Sequence, residues 1–211
     1  MPLKQYDFET GLKELARALS SYNRRTLVAI AGGSCSGKTF FSKKLHECLA
    51  KTGSSSSIIK LDDYFRDIDD PGLPLTDAGE LLFDAPGSFH EQEFVADVSR
   101  LLGSRDIMAP RYIKPTMRRT EERKLILASQ FILAEGLYAI RMLAGRFARL
   151  VKIYIDADES IRLERRVARD ISLLGVARDD VEWIFQAKIL PCHKEFNESQ
   201  KKQADFVITN N

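Results

Sequence analysis

The chain has 211 residues, 44% hydrophobic and 29% charged, the composition of a soluble globular protein with one sizeable core rather than a disordered segment. Its 32 basic and 30 acidic residues leave a formal net charge of +2, too mild to argue for nucleic acid or an acidic membrane surface as a partner, so an anionic ligand has to be recognised locally. Three cysteines, Cys35, Cys48 and Cys192, form an odd set without CxxC spacing, which speaks against a disulfide framework or a zinc site; Cys48 reads as core and Cys35 as a loop residue.

The N-terminus, "MPLKQYDFETGLKELARAL", mixes charges among its apolar residues, so it is not a signal peptide. No apolar run approaches membrane-spanning length, and a reducing cytoplasm is the expected location. Within an N-terminal segment 1–25, Leu12, Leu15, Ala16 and Leu19 recur at helical spacing and predict an amphipathic helix over 8–22. "TLVAIAG" then reads as a buried strand from Thr26, and Phe41, Leu45, Cys48 and Leu49 put an apolar stripe on the helix that follows. After the serine-rich connector "TGSSSS", "SIIKL" at 57–61 is a second strand, "QFILAEG" at 130–136 a third, "RLVKIYID" at 149–156 a fourth and "ADFVI" at 204–208 a fifth. Helical patterns fill most gaps between them, and such alternation predicts a three-layer α/β domain with a parallel sheet covered on both faces. No repeat or composition shift divides the chain, so 1–211 is read as one domain. The proline- and glycine-rich stretch 66–88, "RDIDDPGLPLTDAGELLFDAPGS", has no steady period and is too long for an ordinary connection; such segments cover or build sites.

The strongest signal is "GGSCSGKT", Gly32, Gly33, Ser34, Cys35, Ser36, Gly37, Lys38 and Thr39. It fits G-x-x-x-x-G-K-[ST] between a strand and a helix, the context that makes this string a phosphate-binding loop. Small residues let successive backbone N–H groups turn inward around a polyphosphate, and the helix N-terminus adds its partial positive charge. Lys38 would reach the β- and γ-phosphates of ATP, and the Thr39 hydroxyl would ligate Mg²⁺. Neither an N-K-x-D base-reading motif nor an L-S-G-G-Q signature occurs, so GTPases and transporter-type ATPases recede behind small-molecule kinases.

A kinase acting on an alcohol needs a carboxylate at the acceptor hydroxyl and an acidic group near the metal. Asp62 and Asp63 follow the second strand at its C-terminal end, the side on which an open parallel sheet binds ligands. Neighbours on an extended chain point opposite ways, so one of the two is the base. Glu135 ends the third strand at the same edge and is read as the metal-associated carboxylate, while Asp156 is read as a cap for the next helix. In "ESIRLERRVARDI", Arg162, Arg165, Arg166 and Arg169 fall within an arc of about 100° on a helix of 3.6 residues per turn. They read either as a solvated basic face or as cations for phosphoryl transfer, with a lid over 170–180 that holds Gly175 and Arg178. His46, His90 and His193 are scattered and read as surface or cap residues, and Trp183 with Ile184 as helix packing.

Taken in order, the phosphate loop, "LDDYF", "FDAP", "RY" at 111–112, "LAEGLY", "IYIDADESIRLERRVARD" and "LPCHKEF…ADFVI" resemble the uridine kinase branch of the phosphoribulokinase/uridine kinase family over about residues 26–208. The resemblance implies a five-stranded parallel P-loop kinase sheet of order 2-3-1-4-5 with an acceptor-binding insertion over 63–120. It implies Asp62 as catalytic base, Asp84 as the group that grips the ribose hydroxyls, and Glu135 at the metal. Phe83 and Tyr112, with Asp63 and Arg119, would build the acceptor pocket, and Arg166 and Arg169 would contact phosphates and the reacting hydroxyl. The implied reaction moves the γ-phosphoryl of MgATP to the 5′-hydroxyl of uridine or cytidine, in an enzyme that often assembles as a tetramer. Two departures stand out. "YIKPTMRR" puts Lys114 and Met117 where the family has an aromatic residue and a histidine that contact the pyrimidine, and Leu174 and Val176 stand at two lid-arginine positions, with Arg178 the one nearby substitute. A pocket that cannot hydrogen-bond the base discriminates poorly in its favour, which keeps open a kinase of another small hydroxyl metabolite, pantothenate- or sugar-like. The missing lid arginines keep open a nucleotide-binding regulatory protein without turnover.

Overall fold

The computed structural model describes residues 3–211. Among them, strands β1 (Lys4–Asp7), β2 (Thr26–Gly32), β3 (Ser56–Lys60), β8 (Phe131–Glu135), β9 (Leu150–Asp156) and β10 (Phe206–Thr209) form one sheet in the order β1-β10-β9-β2-β8-β3, with every pairing parallel. The five strands expected from the sequence all form, in the expected order. The sheet nevertheless has six strands, because β1 pairs beside β10 through Lys4↔Phe206 to Asp7↔Thr209. Its sequence, KQYD, is short, polar and mostly exposed, so no hydrophobic period announces it; the open edge of β10 supplies the pairing. The segment ahead of β2 is thus a strand and a helix.

Alternation along the strands makes the two cores. Leu27, Ala29 and Ala31 of β2 face one side with Ile132 and Ala134 of β8, and Val28 and Ile30 face the other with Leu133. On the second side lie helices α1 (Phe8–Ser20) and α2 (Lys38–Lys51), which bury Leu12, Leu15, Leu19, Phe41, Leu45 and Leu49. Asp7 starts α1 by accepting the Thr10 N–H at 2.9 Å. Gly11 lets that helix approach the sheet, since a Cβ there would lie 2.4 Å from Ile208 Cδ1. The first side is covered by α3 (Glu91–Leu102), through Phe94, Val98 and Leu101, and by α4 (Ala139–Leu143).

Between β3 and β8 the insertion builds two small hairpins, β4 (Ile107–Ala109) with β7 (Lys124–Ile126) and β5 (Tyr112–Ile113) with β6 (Arg118–Arg119). Met117 closes the second at a left-handed φ of 52°. After β9, α5 (Glu159–Leu174) runs to Gly175, whose φ of 69° ends it by an αL cap that returns its N–H to the Ile171 carbonyl. The stretch expected as a lid, 170–180, is the last turn of α5, this cap and the start of α6 (Arg178–Ile184). The helical run then continues to Gln203 with wide π-type turns at Phe185–Ile189 and His193–Asn197, on either side of Pro191, which has no N–H to give the helix. Trp183 is not packed as expected. It is 54% exposed, with Lys188 Nζ 5.4 Å over its ring. Among the described residues no helix is long and apolar enough to cross a membrane.

Candidate active site

Because β2 is central and its neighbours are parallel, its C-terminal end opens at the crevice where β3, β8 and β9 also end. Gly32 leaves β2 at φ +152°, Cys35 takes a left-handed φ of 60° and Gly37 starts α2 at φ +98°. The loop thereby curls over the first turn of α2. It has no spare room: a Cβ on Gly33 would meet Arg162 Nη1 at 2.7 Å and His193 Cε1 at 2.9 Å, and one on Gly37 would meet Asn210 Nδ2 at 2.1 Å. The Lys38 ammonium folds back over the loop and donates to the carbonyls of Gly33 (2.7 Å) and Gly32 (3.1 Å). The Thr39 hydroxyl donates to Glu135 Oε1 at 2.8 Å.

A cavity of about 420 Å³ lies in front of this loop. It gathers Ser34, Cys35, Gly37, Lys38 and Thr39 with Asp62, Phe83, Asp84, Tyr112, Glu135, Arg166 and Arg169, so most of the sequence-predicted site residues share one space. Asp62 and Asp63 lie in a single 3-10 turn after β3 rather than on extended chain, so their side chains diverge by roughly 120° instead of pointing opposite ways. Asp62 faces the cavity, whereas Asp63 faces the β5 backbone, with the Tyr112 N–H 3.5 Å from Oδ1. Arg119 is also outside the cavity lining, held by Glu93 at 2.7 Å and by its own N–H on Asp67. Gly32, Gly33 and Ser36 form the back of the loop rather than the cavity wall. Tyr138 donates from its hydroxyl to the Asp84 carbonyl and so fixes the "FDAP" turn. Phe65 packs 5.3 Å from the Tyr112 ring and braces the acceptor wall.

The arginine stripe faces inward. Arg162 is 3% exposed, Arg166 Nη1 donates to Ser34 Oγ at 3.0 Å and Nε lies 3.1 Å from Asp170, and Arg169 Nε donates to Asp170 at 2.7 Å. Ile171, on the same helix, is exposed. Arg178 lies outside the cavity lining. It bonds Glu164 (2.9 Å) and Glu182 (2.8 Å) at the surface, and Leu173 and Leu174 line the cavity where α5 ends. Asp156 does not cap α5 either: it pairs with Lys201, and Asp158 holds the N-cap position.

Charge sets the protonation states. Burial pulls the Lys38 pKa down against the opposing pull of Glu135 and Asp62. Burial pushes Glu135 up, and the Asp62 charge adds to this, with Lys38 and the Thr39 hydroxyl partly offsetting both. At Asp62 burial also works upward, but the Lys114 ammonium, with Lys38 and Arg169 behind it, outweighs it and holds the carboxyl below its ordinary range. A hydroxyl and a carboxylate beside a loop of inward backbone are hard oxygen donors, so Thr39 and Glu135 fit a hydrated Mg²⁺.

The sequence did not point to three residues behind the loop. Asn197 Nδ2 donates to the carbonyls of Leu137 (2.6 Å) and Gly32 (3.2 Å) while its Oδ1 accepts from Tyr154 at 2.8 Å. Asn210 Nδ2 donates to Ser36 O at 2.8 Å. His193, read as surface, has its Nδ1 buried without a partner against the loop. All three come from the last quarter of the chain, and only the fold brings them there. For His193, burial first and then Arg162 and Lys38 push the pKa down to about 4 from 6.5. The folded value lies below the unfolded one, so the unfolded chain takes the proton first as pH falls. Stability is therefore full above pH 6.5 and declines toward pH 4, by up to about 3 kcal/mol from this one group. Urea melts at pH 7 and pH 5 are expected to show that loss, and His193→Gln to shrink it; an unchanged pH slope in the variant removes the assignment.

A glycine loop closed on a lysine at the end of a central parallel strand, faced by an aspartate and arginines across one cavity, defines a P-loop phosphotransferase. The chain matches the Phosphoribulokinase / Uridine kinase family over residues 27–211 and belongs to it. The uridine kinase of Leuconostoc citreum (strain KM20) is 31% identical over 182 residues, 86% of each chain. The fold is shared with a putative fructose transport system kinase from Silicibacter sp. TM1040 (TM-score 0.72, 18% identity, covering 93% of this chain and 98% of that one) and with a possible uridine kinase from Bacillus stearothermophilus (TM-score 0.65, 16% identity, 95% and 98%).

Proposed function

We propose that the protein transfers the γ-phosphoryl group of ATP to the 5′-hydroxyl of a nucleoside, uridine or cytidine first. The observation that carries the reading is Asp62, which faces the same cavity as Lys38, Thr39 and Glu135 on one side and Phe83, Asp84 and Tyr112 on the other. The loop N–H groups and Lys38 bind the polyphosphate, and Arg166 and Arg169 bear on the group in transit. Mg²⁺, held by Thr39 and Glu135, neutralises phosphate charge when bound. Asp62, kept ionised by its cations, takes the proton of the attacking hydroxyl. Asp84 suits two neighbouring sugar hydroxyls, and the aromatic side chains suit a flat base or sugar face.

One observation favours a second reading, a different small hydroxyl acceptor. On the acceptor wall the cavity-lining side chains are Phe65, Phe83, Asp84, Tyr112, Lys114 and Met117, with no amide or imidazole to read a pyrimidine edge. ADP release from MgATP across uridine, cytidine, other nucleosides, pantothenate and simple sugars separates the two. Turnover with uridine or cytidine is the expected result; turnover confined to a non-nucleoside overturns the first reading in favour of the second.

A further inference from the structure

Lys114 stands on the β5–β6 hairpin and reaches into the cavity, with Nζ 2.8 Å from Asp62 Oδ2. The two side chains are 40% and 36% exposed, so the pair meets in a solvent-lined space, where such contacts are weak and readily exchanged. Asp62 is faced by cations from three directions, in a cavity that also holds Asp84, Glu135 and Asp170. Lys114 from the hairpin, Lys38 from the loop and Arg169 from α5 all bear on it. Lys38 is held by two carbonyls and Arg169 by Asp170, whereas among the described residues Lys114 has no ionic partner but Asp62. On the far wall the end of α5 offers only Leu173 and Leu174, and Arg178 is tied to Glu164 and Glu182 outside. Lys114 is therefore the loosely held cation at the Asp62 carboxylate, and it comes from the acceptor side.

We propose that Lys114 is a catalytic residue that contacts the transferring phosphoryl group from the hairpin side. The proposal rests on the phosphotransferase reading above. In the reaction the bond from the γ-phosphorus to the ADP oxygen breaks and the bond to the acceptor oxygen forms. The acceptor proton passes to Asp62. Neutral Asp62 no longer holds an ammonium, so Lys114 is released to the phosphoryl oxygens as the group moves past it. The carboxylate thus stores the cation until the proton arrives.

The test uses the full chain as wild type, Lys114→Met and Lys114→Arg. Calorimetry compares binding of MgADP alone with MgADP plus aluminium fluoride, a mimic of the phosphoryl group in flight, in the presence of whichever acceptor of the panel is turned over, or of uridine if none is. Wild type is expected to bind the fluoride complex at least ~10²-fold more tightly than MgADP. Lys114→Met is expected to lose most of that gain with MgADP affinity unchanged, and Lys114→Arg to retain it. Equal gain in wild type and Lys114→Met, a parallel loss of MgADP affinity, or no gain in wild type overturns the proposal. The acceptor panel is read separately. A Lys114-dependent gain without turnover on any nucleoside removes only the nucleoside reading, while uridine turnover undiminished in Lys114→Met removes only the role of Lys114.

Discussion

Asp62→Asn is expected to lower kcat by roughly 10²- to 10⁴-fold and not to weaken the binding of MgATP. The substitution keeps the size of the side chain and removes its ability to hold a proton, so what disappears is the acceptor for the hydroxyl proton. Asp62 is neither in the glycine loop nor bonded to it; its close ionic contact is Lys114. The nucleotide site proposed for Gly32–Thr39 and Glu135, with its internal bonds, is therefore expected to be spared. The pH profile gives a second readout. Burial raises the Asp62 pKa and the Lys114 ammonium with its neighbours lowers it further than burial raises it. The form that works as a base is lost only as pH falls below the ordinary carboxylate range, and the acid limb of kcat/KM lies there in wild type and is absent from the residual activity of the variant. Steady-state rates between pH 4 and 9 are expected to show the lower kcat of the variant and, in wild type, no acid limb from Asp62 inside that window. Residual activity within tenfold of wild type at pH 7, on an acceptor the wild type uses, removes Asp62 as the base.

Lys38→Met is expected to cost about 10²- to 10³-fold in kcat/KM for ATP and to leave the affinity for AMP close to wild type. The methionine fills the same buried channel, since Lys38 is only 8% exposed, so the loop keeps its packing. Lost with the ammonium is the one side-chain cation on the loop, which burial already pulls toward neutrality and which phosphate oxygens would hold charged. The contrast between ATP and AMP distinguishes this from collapse of the loop, which would weaken both. Equilibrium binding of AMP, ADP and ATP measures it; equal loss across the three would mean that Lys38 shapes the loop rather than reading the outer phosphates.

The parts of the site that could be read from the chain are those whose function and geometry share a local spacing. Gly32 to Thr39 carry both the turn and the chemistry in eight consecutive residues, and Asp62 and Glu135 sit where a strand period stops, so sequence places them at the rim of the sheet. The two central strands were legible for a related reason, because "LVAIAG" and "FILA" are unbroken apolar runs, as strands covered on both faces must be. Strand β1 was not, since KQYD gains its pairing from β10 and has no pattern of its own. The arginine stripe was ambiguous because its spacing fits both a solvated and a cavity-facing helix, and only packing decides. Arg162 becomes a buried group 5.7 Å from the Phe185 ring, and nothing in "ESIRLERRVARDI" says that Phe185 will be there. Asn197 and Asn210 were invisible for a related reason, since each bonds backbone more than 150 residues earlier, and His193 packs against the same loop at Gly33.

That separation bears on how the protein acquires its activity. The carbonyls of Gly32 and Ser36 are tied by side chains 165 and 174 residues further along, so a ribosome that has delivered the glycine loop has not yet delivered its supports. Contacts of such span close the longest chain loops and form late. Affinity for the proposed nucleotide is then expected to develop as the last helical turns and β10 dock, after the first half of the sheet can have assembled. During refolding, recovery of nucleotide binding should trail the recovery of secondary structure, so a bound nucleotide marks chains in which the final strand is in place.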